Sequence, residues 1–210
     1  MTRVARVAVV AVAVVALAAG AAIGLLVGGS VLRPATPVEG SVDVGFARDM
    51  SVHHRQAVEM SVLVRDRSDD AAVRQLALDI LLTQQHQQGQ MFGWLDTWGL
   101  PASSTAEPMA WAGDHAHGGT AGVGGAMPGL ATTEQMGRLE AAEGDEADRL
   151  FLALMIPHHV GGVEMAEVAV DRATQAQVRR LAEAIVASQV AEITLLEQML
   201  AERGGAPADL

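Results

Sequence analysis

Asp43-Val44-Gly45-Phe46-Ala47-Arg48-Asp49-Met50-Ser51-Val52-His53-His54-Arg55-Gln56-Ala57-Val58-Glu59-Met60 is a stretch that the 210-residue chain uses twice. Displaced by 105 residues, Asp148, Phe151, Met155, His158, His159, Val163, Glu164 and Met165 repeat its skeleton, eight identities in eighteen aligned positions. At about 100° per residue, with Met50 set at zero, Asp43, Phe46, His53, His54, Ala57, Met60, Ser61 and Val64 share an arc of roughly 120°. That is the width of an ordinary buried helix stripe. Everything repeated lies on that face except Val58 and Glu59, so the stretch reads as one amphipathic helix present in two copies.

The repeat extends past the stretch. After the polar turn Arg65-Asp66-Arg67-Ser68-Asp69-Asp70, a second helix is expected from Ala71 to Trp98, with the stripe Val73, Leu76, Ala77, Ile80, Gln84, Gln88, Met91 and Leu95. At the same offset lie Val178, Leu181, Ala182, Ile185, Gln189, Ile193, Leu196 and Leu200. Each half is therefore a helical hairpin, and Gly99-Leu100-Pro101 stops the first. Two similar hairpins bury their apolar faces against each other, giving an all-α four-helix bundle with the first and third main helices facing across the core. The expected bounds are 42–203 for the domain, with repeat one at 43–98, the connector at 99–131, repeat two at 145–203 and a tail at 204–210. A short helix from Thr133 to Ala142 is expected, then Asp145 or a neighbour capping the third main helix, which carries Pro157 inside it and is open to a kink there.

Upstream, no charge occurs from Val7 to Leu32, while Arg3 and Arg6 precede that run. The 26 residues exceed the roughly 7–15 of a signal-peptide core and reach the roughly 20 of a membrane span. Residues 1–33 are thus an expected anchor, with the arginines held inside and the domain outside the cytoplasm. Cleavage at the small residues Ala18 to Ala22, releasing a secreted or periplasmic protein, is the alternative. Residues 34–41 form a Pro-containing linker.

Composition limits the chemistry. A formal charge of -11 argues against nucleic acid as a partner. With no cysteine, disulfides and thiolate metal sites are excluded, so any metal is held by His, Met, Asp, Glu or backbone. His53 and His54 stand among Met50 and Met60, and His158 and His159 among Met155 and Met165. Thioether sulfur suits Cu(I) and imidazole accepts either copper state. The competing explanation is a core face whose methionines are adaptable filler and whose histidines are hydrogen-bonded. Gln84 and Gln189 interrupt the second stripes at matching places, where a buried amide would orient a histidine's second nitrogen or lie at a solvent edge. The connector adds His115, His117 and Met127 as further candidate ligands, or is a disordered linker with incidental histidines. Neither Glu-x-x-His, which a ferritin-type di-iron site requires, nor His-Glu-x-x-His or Gly-x-Ser-x-Gly occurs. An iron protein and a metal-free module that docks a partner through a helical face remain the alternatives to copper.

The doubled Asp-x-x-Phe-x-x-x-Met-x-x-His-His-x-x-x-x-Glu-Met, with Met127-Pro128-Gly129-Leu130 before a helix and Phe151-Leu152-Ala153-Leu154-Met155-Ile156-Pro157-His158-His159 in the second copy, resembles the bacterial Domain of Unknown Function 305 family over about residues 41–203. The resemblance implies an exported, ferritin-like four-helix bundle whose best-known type is a periplasmic copper-binding protein for copper resistance. It implies Met50, His53, His54, Met60, Met155, His158, His159 and Met165 as metal ligands. The chain departs from the family at Gly162, where Ala is common, and carries fewer Met and His in its connector than the copper-binding type.

Overall fold

The computed structural model describes residues 2–31, 35–117, 127–208 and 210, with the side chains of Val7, of 26–31 and of 114–117 outside that description. It has two compact units, Met1–Thr36 and Pro37–Leu210. The first contains helix α1, Arg3–Val31. Within it, Arg3–Leu25 contains an 18-residue window with a mean hydropathy of 2.6, and its 23 residues rise about 35 Å, enough to cross a bilayer core of about 30 Å.

The second unit is all-α: no strand occurs among the described residues. Its helices are α2 (Val42–Arg67), α3 (Ala71–Thr97), α4 (Thr133–Ala141), α5 (Gly144–Arg172) and α6 (Ala176–Glu202), with a 3-10 segment at Ala110–His117. The four long helices form two hairpins, α2–α3 and α5–α6, packed as the repeat requires. Local sequence sets the ends. Ser41 caps α2 by accepting from the Val44 N–H, and Asp70 caps α3 by accepting from Ala72 and Val73. Thr132 and Gln135 complete a capping box on α4. Gly99, at φ 70°, closes α3 while the Leu100 N–H returns to the Leu95 carbonyl. The cap expected at Asp145 or a neighbour falls at Glu143, which occupies the N-cap of α5 without a side-chain bond, and Asp145 lies in the first turn, where its charge favours the helix dipole. Helix α5 runs through Pro157 to Arg172 as one element.

The repeated aspartates brace one hairpin against the turn of the other. Asp43, at the start of α2, accepts from the Gln175 N–H at 2.8 Å and from the Thr174 N–H and hydroxyl, at the α5–α6 turn. Its counterpart Asp148, at the start of α5, bonds Ser68 in the α2–α3 turn. Phe46 and Phe151, the other repeated pair, are fully buried in opposite halves of the core.

Those halves are separate apolar clusters. One gathers Val44 to Met50 of α2, Met91 and Leu95 of α3, Met165 to Ala169 of α5 with Ala173 just past its end, and Val178 to Ile185 of α6. The other gathers Ala57 to Val64, Val73 to Ile80, Leu150 to Met155, Leu196 and Met199. Every long helix is interrupted at the same level, by His53 and His54, by Gln84 and Gln87, by His158 and His159, and by Gln189 and Glu192. A polar layer therefore crosses the middle of the bundle.

Two connector segments dock on the bundle. The Trp111 ring lies over Gly45, where a Cβ would come within 2.2 Å of it, and its Nε1–H donates to Asp49, as does the Met109 N–H, each at 2.7 Å. Further on, the Met127-Pro128-Gly129 turn presses its backbone onto α5. A Cβ at Gly129, whose φ is 74°, would lie 2.1 Å from the Pro157 carbonyl oxygen, and one at Gly161 would lie 2.1 Å from the Pro128 oxygen. Backbone meets backbone, so neither side gives way cheaply. Gly129→Ala and Gly161→Ala are each expected to cost about 3 kcal/mol, read as a fall in urea midpoint at unchanged slope.

Candidate metal centre

All four histidines of the repeat are fully buried. His53 and His158 meet at the centre, with ring centroids 3.9 Å apart and planes tilted by 37°. His159 lies farther out, 6.2 Å from His158. Each ring commits one nitrogen to the protein. His53 Nε2–H donates to the Pro128 carbonyl at 3.1 Å, and His158 Nε2–H to the His53 carbonyl at 3.1 Å. His54 Nε2–H donates to the Gln87 amide oxygen at 2.7 Å, and His159 Nε2–H to the Glu192 carboxylate at 2.6 Å. Main-chain carbonyl oxygens only accept, so Pro128 and His53 fix the tautomers of His53 and His158, while His54 takes the same form against the amide oxygen that Gln87 turns to it. The nitrogen left over is Nδ1 in every case, and all four Nδ1 atoms are buried with no protein partner.

Burial also holds three of the rings, His53, His54 and His158, neutral. It pulls His53 from the ordinary 6.5 down to about 4 and His54 to about 3, with His158 well below its usual value for the same first cause. A neutral imidazole with one nitrogen anchored and the other presenting a lone pair is the form in which histidine ligates a metal. The same burial has a stability consequence. The folded pKa values lie below the unfolded one, so the unfolded chain binds more protons once pH drops under 6.5. Stability of the metal-free protein is therefore full above pH 6.5. It is expected to fall by on the order of 3 kcal/mol for each of His53 and His54 between pH 6.5 and 4, measured by urea unfolding across that range.

Gln84 and Gln189 are buried in the same layer, and neither amide bonds a protein group through its oxygen or nitrogen. The acceptors of the outer histidines are instead Gln87 and Glu192, three residues further along each helix. These two also stand 105 apart, and the signal that finds them is similarity rather than identity in the repeat. Gly162 leaves room for the Gln189 side chain, whose oxygen would lie 2.3 Å from a Cβ there.

The methionines take up both sides of the layer. Met50 and Met165 belong to one apolar half, together with Met127, while Met60 and Met155 belong to the other, and Met50, Met60, Met155 and Met165 are fully buried. Met50 and Met155 stand one helical turn from the histidines, about 5 Å along the axis, whereas Met60 and Met165 stand about two turns away. The eight repeated Met and His residues thus form a column through the core rather than one coordination shell. Among the described residues, no three His, Asp or Glu side chains gather into a cage by themselves. An ion in this layer would take imidazole together with thioether or amide. His115 and His117 end the 3-10 segment, and their side chains lie outside those described.

The chain matches known proteins over this same bundle. The family profile described as Domain of unknown function (DUF305) covers residues 43–200. No curated protein matches the chain. Among solved structures, a DUF305 protein from Streptomyces coelicolor assigned as secreted is 48% identical, with a TM-score of 0.75 over 82% of this chain and 100% of that one. A DUF305 fragment from Deinococcus radiodurans is 35% identical, with a TM-score of 0.64 over 81% of this chain and 99% of that one. CopM in its Cu(II)-bound form is 25% identical, with a TM-score of 0.59 over 74% of this chain and 93% of that one, and its Cu(I)-bound form is 23% identical. The doubled Asp, Phe, Met and His-His skeleton, the docked Met-Pro-Gly turn and the profile spanning most of the chain lead to one assignment: the chain belongs to the DUF305 family.

Proposed function

We propose that this protein binds copper in the polar layer of its bundle, with Cu(I) favoured, and serves copper homeostasis or resistance outside the cytoplasm. The observation that carries the reading is the set of four buried imidazoles whose Nε2 atoms are all committed to the protein and whose Nδ1 atoms are all left without a protein partner. Left without water or an ion, each such atom costs on the order of 1–3 kcal/mol, and an ion in the layer would meet several of them at once. His53, His54, His158 and His159 would supply borderline nitrogen, and Met50 and Met155, one turn away, soft sulfur, with Met60 and Met165 farther along the column and Met127 at the Met-Pro-Gly turn as further thioethers. Bound copper would bring redox chemistry, and the protein's part is to hold the ion dry and neutral-liganded. Copper on CopM in both oxidation states supports the choice of metal.

The apolar helix α1 supports export, as does the secreted assignment of the Streptomyces coelicolor relative. We read α1 as an uncleaved single-pass anchor. Metal analysis of the full-length chain after separate loading with Cu(I), Cu(II), Zn(II) and Fe(II) tests the reading. Copper retained through exhaustive dialysis with iron lost is the expected result, and retention of none of the four would favour the partner-docking module instead.

A further inference from the structure

The two halves of the polar layer match in every histidine and in Gln84 and Gln189, but not in the acceptors of the outer imidazoles. His54 donates to an amide oxygen, Gln87, and His159 donates to a carboxylate, Glu192. Each acceptor lies 33 residues beyond its histidine, so the repeat places them at equivalent points of the bundle. Among the described residues, Glu192 is the one carboxylate hydrogen-bonded to any of the four rings. Its side chain is 24% exposed while that of His159 is fully buried, so it brings a negative charge to the edge of a dry layer.

A carboxylate on the far nitrogen of a ligating imidazole strengthens that ligand as a donor. It also attracts the ion through a Coulomb term proportional to the ion's charge, and the low dielectric of a buried layer leaves that term weakly screened. The logarithmic gain in affinity is therefore about twice as large for a divalent ion as for a monovalent one. Gln87 supplies no such term. We propose that Glu192 is a positioning residue that acts through His159 to set the charge preference of the layer. It raises the hold on Cu(II) against Cu(I) and so tempers the preference that the thioethers impose. The inference rests on the copper reading above and goes beyond it by naming the residue that distinguishes the oxidation states.

The test uses the full-length chain in detergent, with Glu192→Gln and the double variant Gln87→Glu/Glu192→Gln, which moves the carboxylate to the other half. Cu(II) is titrated by calorimetry, Cu(I) against a competing chelator, and Ag(I) serves as a monovalent probe that does not change oxidation state. Glu192→Gln is expected to weaken Cu(II) about 10- to 100-fold and Cu(I) and Ag(I) by the square root of that, about 3- to 10-fold. The bound-copper potential then rises by about 30–60 mV, at 59 mV per tenfold for one electron. The double variant should return the Cu(II) to Cu(I) ratio to within about 1.5-fold of wild type, and the potential to within about 10 mV. Equal losses in both oxidation states, no loss in either, or no recovery in the double variant would overturn the assignment of Glu192. Copper affinity that is the same with and without the four histidines would overturn the copper reading itself, which is a separate outcome.

Discussion

The variant His53→Gln/His54→Gln is expected to keep its fold and to lose copper affinity by on the order of 100-fold or more, above the 10- to 100-fold typical of removing a ligand's supporting partner. Glutamine keeps a donor for the Pro128 carbonyl that His53 now satisfies, and it approximates the volume of imidazole, so the core is not opened. It is a poor copper ligand, so what the variant removes is two Nδ1 lone pairs. If the histidines were core filling, the outcome would reverse: thermal stability would fall and copper binding would not change. The matching variant His158→Gln/His159→Gln is expected to behave in the same way, because His158 and His53 stack at the centre of one layer. Chelator competition and thermal melts on the same samples separate the two outcomes.

Replacing Met50 and Met155 with leucine should divide the oxidation states. Both side chains are fully buried and stand one turn from the histidines, on opposite sides of the layer. Leucine preserves core volume, at a cost under about 1.5 kcal/mol, while removing the soft sulfur. Cu(I) affinity is expected to fall about tenfold or more, with Cu(II) changing less than about threefold, since imidazole serves both states. Equal losses for both ions would mean that the methionines act only through packing.

The fold was legible because its evidence is local and doubled. Ser41, Asp70, Thr132 and Gly99 mark helix ends by chemistry that operates within a few residues, and the 105-residue offset shows that two hairpins share one pattern. The same periodicity brings His53, His54, His158 and His159 to one face without any coordinates. It cannot separate Gln84 from Gln87, because residues three apart on a helix share a face, and which of them reaches a histidine depends on how α2 and α3 are set side by side. The role of Met127-Pro128-Gly129 was hidden for a different reason. It rests on main-chain contacts, Gly129 against Pro157 and Pro128 against Gly161, to which side-chain patterns are blind. Asp43 and Asp148 stood out as repeated residues, yet each braces the turn of the opposite hairpin, a relation created by the packing alone. The imidazole tautomers likewise follow only from acceptors that tertiary structure supplies.

Copper K-edge absorption of the full-length chain, loaded with one equivalent of Cu(I) and compared with the variant in which His53, His54, His158 and His159 are all glutamine, tests the central claim most directly. The orphaned Nδ1 atoms and the flanking thioethers predict a mixed imidazole-nitrogen and sulfur shell in the wild type, and loss of its imidazole scattering, with most of the copper, in the variant. A shell of oxygen alone, or a spectrum that the four substitutions leave unchanged, would contradict it.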